Sequence, residues 1–173
     1  MKPQVGILMG SDSDLEVMAE AAKVLEELSI GFEVSVLSTH RVPEETANYA
    51  KSAKRLGLKV LIAGAGGAAA LPGSLAAITA LPVIGVPIKG KSLEGIDSLL
   101  SIAQMPPGVP VATVGINSAK NAGILAAEII AVSDPRVAKK VQDYRGKLKK
   151  AVLLRNTKIR KIGWKKYLKE KEQ

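Results

Sequence analysis

The chain of 173 residues is long enough for one domain with a substantial core, and its 47% hydrophobic content excludes an intrinsically disordered protein. It has no cysteine and one histidine, which excludes disulfides, thiol nucleophiles and metal sites built from thiolates or several histidines. The net charge of +9 is uneven: residues 136–173 carry 15 Lys and Arg against 3 Asp and Glu, whereas residues 1–135 carry 10 against 13. We therefore expect a single domain, with an α/β core over residues 1–135 and a basic extension over residues 136–173.

Short apolar runs alternate with helical patterns along the core. The runs predict five strands, at Val5–Met9, Phe32–Ser38, Val60–Ala63, Pro82–Val86 and Val109–Val114. The intervening segments predict a helix capped by Ser13 or Asp14, a helix from Pro43 to near Gly57, and helices at Leu75–Ala80, Leu93–Gln104 and Asn117–Val132. This alternation indicates an α/β fold in which a parallel sheet is covered on both faces.

The basic extension is predicted to be helical from Pro135, with a break near Gly163. Apolar residues recur in it at helical spacing, at Val137, Val141, Tyr144, Leu148 and Val152. That pattern is typical of a docking face, such as one that packs on a neighbouring subunit. The positive charge leaves nucleic acid or anionic lipid as an alternative partner.

Signals for membranes and export are weak in this sequence. No apolar run approaches the roughly 18 residues of a membrane span. Acidic residues follow the first apolar run too soon for a signal peptide. We therefore expect a cytoplasmic protein without a membrane partner.

Ligands of open parallel sheets bind beyond the carboxyl ends of the strands, which makes the segments after each strand the candidates for a site. The segment Gly10–Asp14 offers hydroxyls and a helix N-terminus, which suit a phosphate or a ribose, although Ser and Asp also serve as plain helix caps. In Ser38–Arg41, His40 is suited to proton transfer and Arg41 to binding a phosphate or carboxylate. The alternative for His40 is a histidine that bonds only the local backbone.

Two glycine-containing segments need separate interpretations. Gly64–Gly73 follows the third strand, where small residues allow either close approach of a planar ligand or tight packing. Gly85–Ser92 matches the phosphate-binding expression GxxxxGK[ST]. We do not expect nucleotide hydrolysis, because Pro87 removes a backbone donor and no other predicted strand ends in an acidic residue that could hold magnesium.

The motifs together resemble one enzyme family. They are MGSDSD, STHRVP, AGAGGAAALPG, LPVIGVP, LEGIDSLLSIAQMPPGVPVATVGI and NAGILAAEII, in this order over about residues 4–132. This set is similar to the class I N5-carboxyaminoimidazole ribonucleotide mutases of purine biosynthesis. The resemblance implies a three-layer αβα sandwich with a flavodoxin-like parallel sheet of five strands and a homo-octameric assembly.

The resemblance also implies a reaction and a site. The family moves a carboxylate from the exocyclic nitrogen of a ribonucleotide substrate to its ring carbon through trapped carbon dioxide, without metal, ATP or organic cofactor. It implies that His40 is the general acid and base. It implies substrate contacts from Ser11, Asp14, Ser38, Arg41, Gly64, Ala65, Gly66 and Gly67.

Three positions depart from the family pattern. Thr39 stands where Ala is usual, Val42 where Thr is usual, and Ala70 where the family has a His before Leu-Pro-Gly. The third departure leaves direct carboxylation of aminoimidazole ribonucleotide by carbon dioxide as an alternative activity. A non-enzymatic nucleic-acid binder is a more distant alternative, which the 3% aromatic content disfavours because few side chains could stack on bases.

Overall fold

Five parallel strands form the central sheet of the computed structural model, which describes residues 1–171. The strands are β1 (Val5–Met9), β2 (Phe32–Val36), β3 (Val60–Gly66), β4 (Val83–Ile88) and β5 (Ala112–Thr113). Their order is β2-β1-β3-β4-β5, and every adjacent pair is parallel. The predicted α/β fold with a five-stranded parallel sheet is therefore confirmed, and its order is that of flavodoxin-like proteins.

Seven α-helices are present in the described residues, and local chemistry explains several of their ends. They are α1 (Leu15–Glu27), α2 (Pro43–Leu56), α3 (Leu71–Ile78), α4 (Ile96–Ala103), α5 (Ala119–Ala131), α6 (Pro135–Ile162) and α7 (Trp164–Lys171). Helix α2 begins at a proline, has two glutamates in its first turn and ends at Gly57, whose φ of +95° is the left-handed conformation that glycine adopts readily. Two 3₁₀ turns, Asp12–Asp14 and Leu93–Gly95, precede α1 and α4.

The sheet separates two apolar clusters, one on each face. Residues of α1, α5 and α6 pack with one set of strand side chains, among them Met18, Ala126 and Val141. Residues of α2, α3 and α4 pack with the other set, among them Ala53, Leu75 and Ile102. Helices on both faces bury β1, β3 and β4 completely except at Gly66, which explains their nearly continuous apolar sequences.

Several predicted boundaries were wrong, some because strands pair in space and some because of local capping at helix ends. Strand β3 continues to Gly66 because its last residues pair with β4, and β5 shrinks to two residues that pair with Ile84 and Gly85. Helix α3 begins at Leu71 rather than Leu75, since Pro72 fits the first turn. The predicted cap of α1 is also corrected: Ser11 accepts a hydrogen bond from Ser13 and caps the 3₁₀ turn, while Asp14 makes no side-chain cap.

The basic extension is helical over its described residues, and the predicted break lies at Gly163. Asp134 caps α6 by accepting a hydrogen bond from the backbone N–H of Arg136 at 3.0 Å. Val137, Val141 and Tyr144 are buried in the cluster that contains α1 and α5. The last two residues of the predicted extension lie outside the described residues.

Candidate active site

The candidate site lies at the carboxyl edge of the sheet, where the strand order reverses. Strand β1 is followed in sequence by β2 on one side and is paired with β3 on the other, so the connections after β1 and β3 leave in opposite directions. Ligands of doubly wound sheets bind in the crevice at such a reversal. A cavity of about 250 Å³ is present there. It is lined by Gly10, Ser11, Asp14, Ser38, Thr39, His40, Arg41, Ala65, Gly66, Ala68, Ala69, Ala70 and Leu71.

The segment after β1 contributes a short network of hydroxyl groups. The backbone N–H of Ser13 donates to Ser11 Oγ at 3.3 Å, and the Ser13 hydroxyl donates to the same oxygen at 2.9 Å. Partial burial raises the pKa of Asp14 above its ordinary value, while a hydrogen bond from Ser13 and the positive charge of Arg41 oppose that rise. These groups present hydroxyls, backbone donors and a carboxylate to the cavity, a set that suits a ribose phosphate.

The turn after β2 holds the histidine. The N–H groups of Arg41 and Val42 both donate to the carbonyl of Ser38, at 3.1 and 2.8 Å, and so close a tight turn around His40. Arg41 Nη2 donates to the carbonyl of Gly10 at 2.6 Å, and its Nε donates to Ser38 Oγ at 3.3 Å. The guanidinium therefore ties the β2 turn to the β1 segment. His40 is exposed at the cavity, so its imidazole is accessible to a bound ligand.

The glycine segment at the end of β3 serves both purposes that the sequence left open, close approach of a ligand and tight packing. Ala65 and Gly66 line the cavity, whereas Gly64 and Gly67 are not among its lining residues. A Cβ built on Gly64 would lie 2.4 Å from Met18 Sδ, so this glycine is needed for packing against α1. Gly67 adopts a φ of +60°, which turns the chain out of the strand.

The segment that resembles a phosphate loop has another role. Gly85, Pro87 and Ile88 belong to β4 and are buried in the sheet. A Cβ on Gly85 would lie 2.3 Å from Ile102 Cγ2, so this glycine makes room for α4. A strand cannot wrap its N–H groups around a phosphate, and the geometry therefore offers no nucleotide loop here.

The described residues contain other cavities and no obvious metal centre. An open groove of about 940 Å³ runs along β2 and α2, but it lacks the histidine and lies along the edge strand. No group of three or more metal-ligating side chains was found within residues 1–171. In the same range, no helix has both the length and the apolar character needed to cross a membrane.

Part of the cavity wall lies outside the substrate contacts that the resemblance implies. Thr39 and the stretch Ala68–Leu71 line the cavity, and of these the sequence indicated only Ala68–Leu71, as part of the segment Gly64–Gly73 that could approach a planar ligand. Alanine carries no chemical signal, so their role appears only when the end of β3 is brought beside the β2 turn. Ala70 is half-buried in this wall, at the position where the family has a histidine.

Comparison with known proteins agrees with this geometry. The family model described as AIR carboxylase matches residues 4–151. The chain belongs to this family. A protein of Thermotoga maritima named N5-carboxyaminoimidazole ribonucleotide mutase is 56% identical over 170 residues, which cover 98% of this chain and 99% of that protein. The resemblance to the class I mutases is therefore confirmed.

Two further relatives extend the comparison. The phosphoribosylaminoimidazole carboxylase of Schizosaccharomyces pombe is 53% identical over 165 residues, covering 95% of this chain but only 30% of that longer protein. The crystal structure of Treponema denticola PurE superposes with a TM-score of 0.84 at 29% identity, covering 91% of this chain and 98% of that one. The predicted αβα architecture is therefore shared with this solved structure.

Proposed function

We propose that this protein converts N5-carboxyaminoimidazole ribonucleotide to 4-carboxy-5-aminoimidazole ribonucleotide, a step of purine biosynthesis, in the cytoplasm. The observation that carries the proposal is the placement of the only histidine of the chain at the switch-point cavity, beside Arg41 and Asp14, in a member of the AIR carboxylase family. The mutase is favoured over the carboxylase because the mutase relative matches along its whole length.

The reaction needs one group that gives and then takes a proton. Protonated His40 donates to the exocyclic nitrogen as its bond to the carboxylate breaks, which releases carbon dioxide and aminoimidazole ribonucleotide. The electron-rich ring carbon then attacks the carbon dioxide, and neutral His40 removes the proton from that carbon to restore the aromatic ring. Atoms and charge balance over the two steps, so the isomerisation itself consumes no further reactant.

The remaining cavity residues are assigned to binding. Ser11, Ser38 and Arg41 are proposed to hold the phosphate, because hydroxyls, a helix N-terminus and a guanidinium suit an anion. The carboxylate of Asp14 is proposed to accept hydrogen bonds from the ribose hydroxyls. The small wall of Ala65, Gly66 and the following alanines is proposed to retain carbon dioxide, which gains nothing from charged neighbours.

The test is direct conversion of the carboxyamino substrate without ATP or added metal, followed by the appearance of the ring-carboxylated product. We expect His40→Asn to lower kcat by roughly 10²- to 10⁴-fold, the usual contribution of general acid and base catalysis. Thr39→Ala, which changes the neighbouring cavity residue to the usual family residue, is the matched control and keeps turnover. Undiminished activity of a folded His40→Asn variant would refute the role of His40.

The second candidate, direct carboxylation, is distinguished in the same assay. It predicts product from aminoimidazole ribonucleotide and bicarbonate, and none from the carboxyamino substrate. Two observations support this candidate: the sequence similarity to the longer carboxylase of S. pombe and the alanine at position 70. Ala70→His restores the family residue and shows whether the alanine changes the preferred substrate.

The proposal includes assembly as a homo-octamer. Its support in this chain is the number of large apolar side chains that are exposed in a single copy, from Leu93 on the core to Leu154 on α6. Sedimentation of the full chain at catalytic concentration tests it, with a mass eight times that of one chain as the expected result.

A further inference from the structure

Ser13 connects two groups of the cavity without belonging to its wall. Its Oγ lies 2.9 Å from Ser11 Oγ and 3.3 Å from Asp14 Oδ1. Ser11 and Asp14 line the cavity, whereas Ser13 is exposed and is not among the lining residues. The function proposed above uses Ser11 for the phosphate and Asp14 for the ribose, and it gives Ser13 no part.

The number of protons in this network limits the hydrogen bonds that it can make. A serine hydroxyl has one proton to donate and two lone pairs that accept. The backbone N–H of Ser13 donates to Ser11 Oγ at 3.3 Å, which occupies one lone pair of that oxygen. The Ser13 hydroxyl has two acceptors within reach, Ser11 Oγ and Asp14 Oδ1, and it can donate to only one of them at a time.

The two arrangements of the Ser13 proton differ in what the cavity offers to a ligand. When Ser13 donates to Asp14, it occupies one lone pair of the carboxylate, and the proton of Ser11 can turn toward Ser13 Oγ. When Ser13 donates to Ser11, both lone pairs of Ser11 are filled, so that Ser11 can only donate and Asp14 is free to accept. The second arrangement suits a ligand that brings an anion to Ser11 and hydroxyl groups to Asp14.

The present partner of the Ser11 proton does not compete strongly with such an anion. Ser11 Oγ donates to Asp12 Oδ1 at 3.3 Å, which is long for a hydrogen bond between a hydroxyl and a carboxylate. Asp12 is exposed, so water replaces this bond readily. A phosphate oxygen in the cavity can therefore take the Ser11 proton at little cost.

We propose that Ser13 is a positioning residue that couples the two halves of the ribonucleotide site, an inference that rests on the function proposed above. Ribose hydroxyls that donate to Asp14 release the Ser13 hydroxyl, which then donates to Ser11. The proton of Ser11 is thereby directed to the phosphate. A phosphate that accepts from Ser11 acts in the same direction from the other end, so each half of the ligand strengthens the binding of the other.

The backbone and the side chain of Ser13 have separable roles. Ser11 caps the 3₁₀ turn Asp12–Asp14 by accepting a hydrogen bond from the backbone N–H of Ser13. Ser13→Ala keeps that N–H, so the cap and the fold remain while the hydroxyl is lost. Ser13→Thr keeps both the N–H and a hydroxyl, and it is therefore the conservative variant that should restore the coupling.

Binding of a matched pair of ligands tests the coupling. The probes are the ring-carboxylated ribonucleotide that the reaction forms and the same ribonucleoside without phosphate, and calorimetry on the full chain measures each Kd. For Ser13→Ala we expect the Kd of the ribonucleotide to rise roughly 3- to 20-fold and that of the ribonucleoside to stay within about twofold. Ser13→Thr should return the ribonucleotide Kd to the parent value. The kcat of Ser13→Ala should be unchanged, because Ser13 does not touch the reacting atoms.

Ser133→Ala is the matched control, since this serine lies just beyond the end of α5 and its hydroxyl donates to the carbonyl of Ile130. We expect it to change neither Kd. Equal weakening of both ligands in Ser13→Ala, an unchanged ribonucleotide Kd, or a Ser13→Thr variant as weak as Ser13→Ala would each overturn the proposal. A parent protein that binds neither ligand would instead contradict the proposed function, and with it the coupling that rests on it.

Discussion

Gly64 packs against the core and does not line the cavity, so its replacement by alanine should change stability through packing alone. The added Cβ would lie 2.4 Å from Met18 Sδ and 3.0 Å from its Cγ. Met18 is fully buried, so its thioether must displace other core atoms to make room. Overpacking of this kind destabilises the folded state by about 1–3 kcal/mol. Replacing glycine also restricts the unfolded chain, which stabilises the protein by roughly 0.5–1 kcal/mol. We expect Gly64→Ala to lower the free energy of unfolding by about 1–2 kcal/mol.

A double-mutant cycle with Met18 tests the cause of that loss. Met18→Ala alone should cost about 2–5 kcal/mol, as for other large core side chains. In its background the new methyl group of Gly64→Ala points into vacated space, so the second change should be neutral or stabilising. The expected coupling between the two positions is about 1–3 kcal/mol. Urea unfolding followed by circular dichroism at a fixed protein concentration measures all four proteins.

Gly66→Ala is the control within the same strand. A Cβ there would lie 3.4 Å from the carbonyl oxygen of Ile88, close to ordinary contact, and would face the cavity region. We expect a change of less than about 0.5 kcal/mol in stability and a higher KM. Additive effects of Gly64→Ala and Met18→Ala, or a larger stability loss in Gly66→Ala than in Gly64→Ala, would refute the reasoning.

Three further predictions concern charge and cavity shape. Burial raises the pKa of Asp14 above 3.8, so the folded state loses stability as this carboxyl ionises with rising pH. At pH 7, Asp14→Asn should therefore unfold at a higher urea concentration than the parent protein. Below pH 3.8 the two proteins should unfold at the same concentration. Hydrogen bonds from Arg136 lower the pKa of Asp134 to about 2, so the ionised carboxylate stabilises the folded protein. Asp134→Ala should therefore be less stable than the parent protein at pH 6, and this difference should shrink as the pH falls from 3.8 to 2. Thermal melts at each pH measure the difference. Ala70→Leu should raise KM by filling the cavity, whereas Ala77→Leu on the exposed side of α3 should not.

The local pattern of apolar and polar residues was sufficient to predict most of the helices and strands. The apolar run Val5–Met9 is a buried strand in any parallel sheet, and Pro43 followed by two glutamates begins a helix whatever packs on it. The absence of cysteine and the single histidine exclude thiol nucleophiles and sites built from several histidines on the sequence alone. These features depend only on residue types and on neighbours in sequence, so the sequence alone predicts them.

Other features depend on neighbours in space, and only the tertiary structure decided them. The length of β3 follows from its pairing with β4, and the two-residue β5 follows from its place at the edge of the sheet. Gly64 and Gly66 look alike in sequence, yet Gly64 lies within β3 against Met18 of α1, whereas Gly66 is the last residue of β3 and lines the cavity at the carboxyl edge of the sheet. The sequence by itself determined which residues could do the chemistry. The fold determined which of them meet, since the strand order brings the ends of β1, β2 and β3 together at one edge.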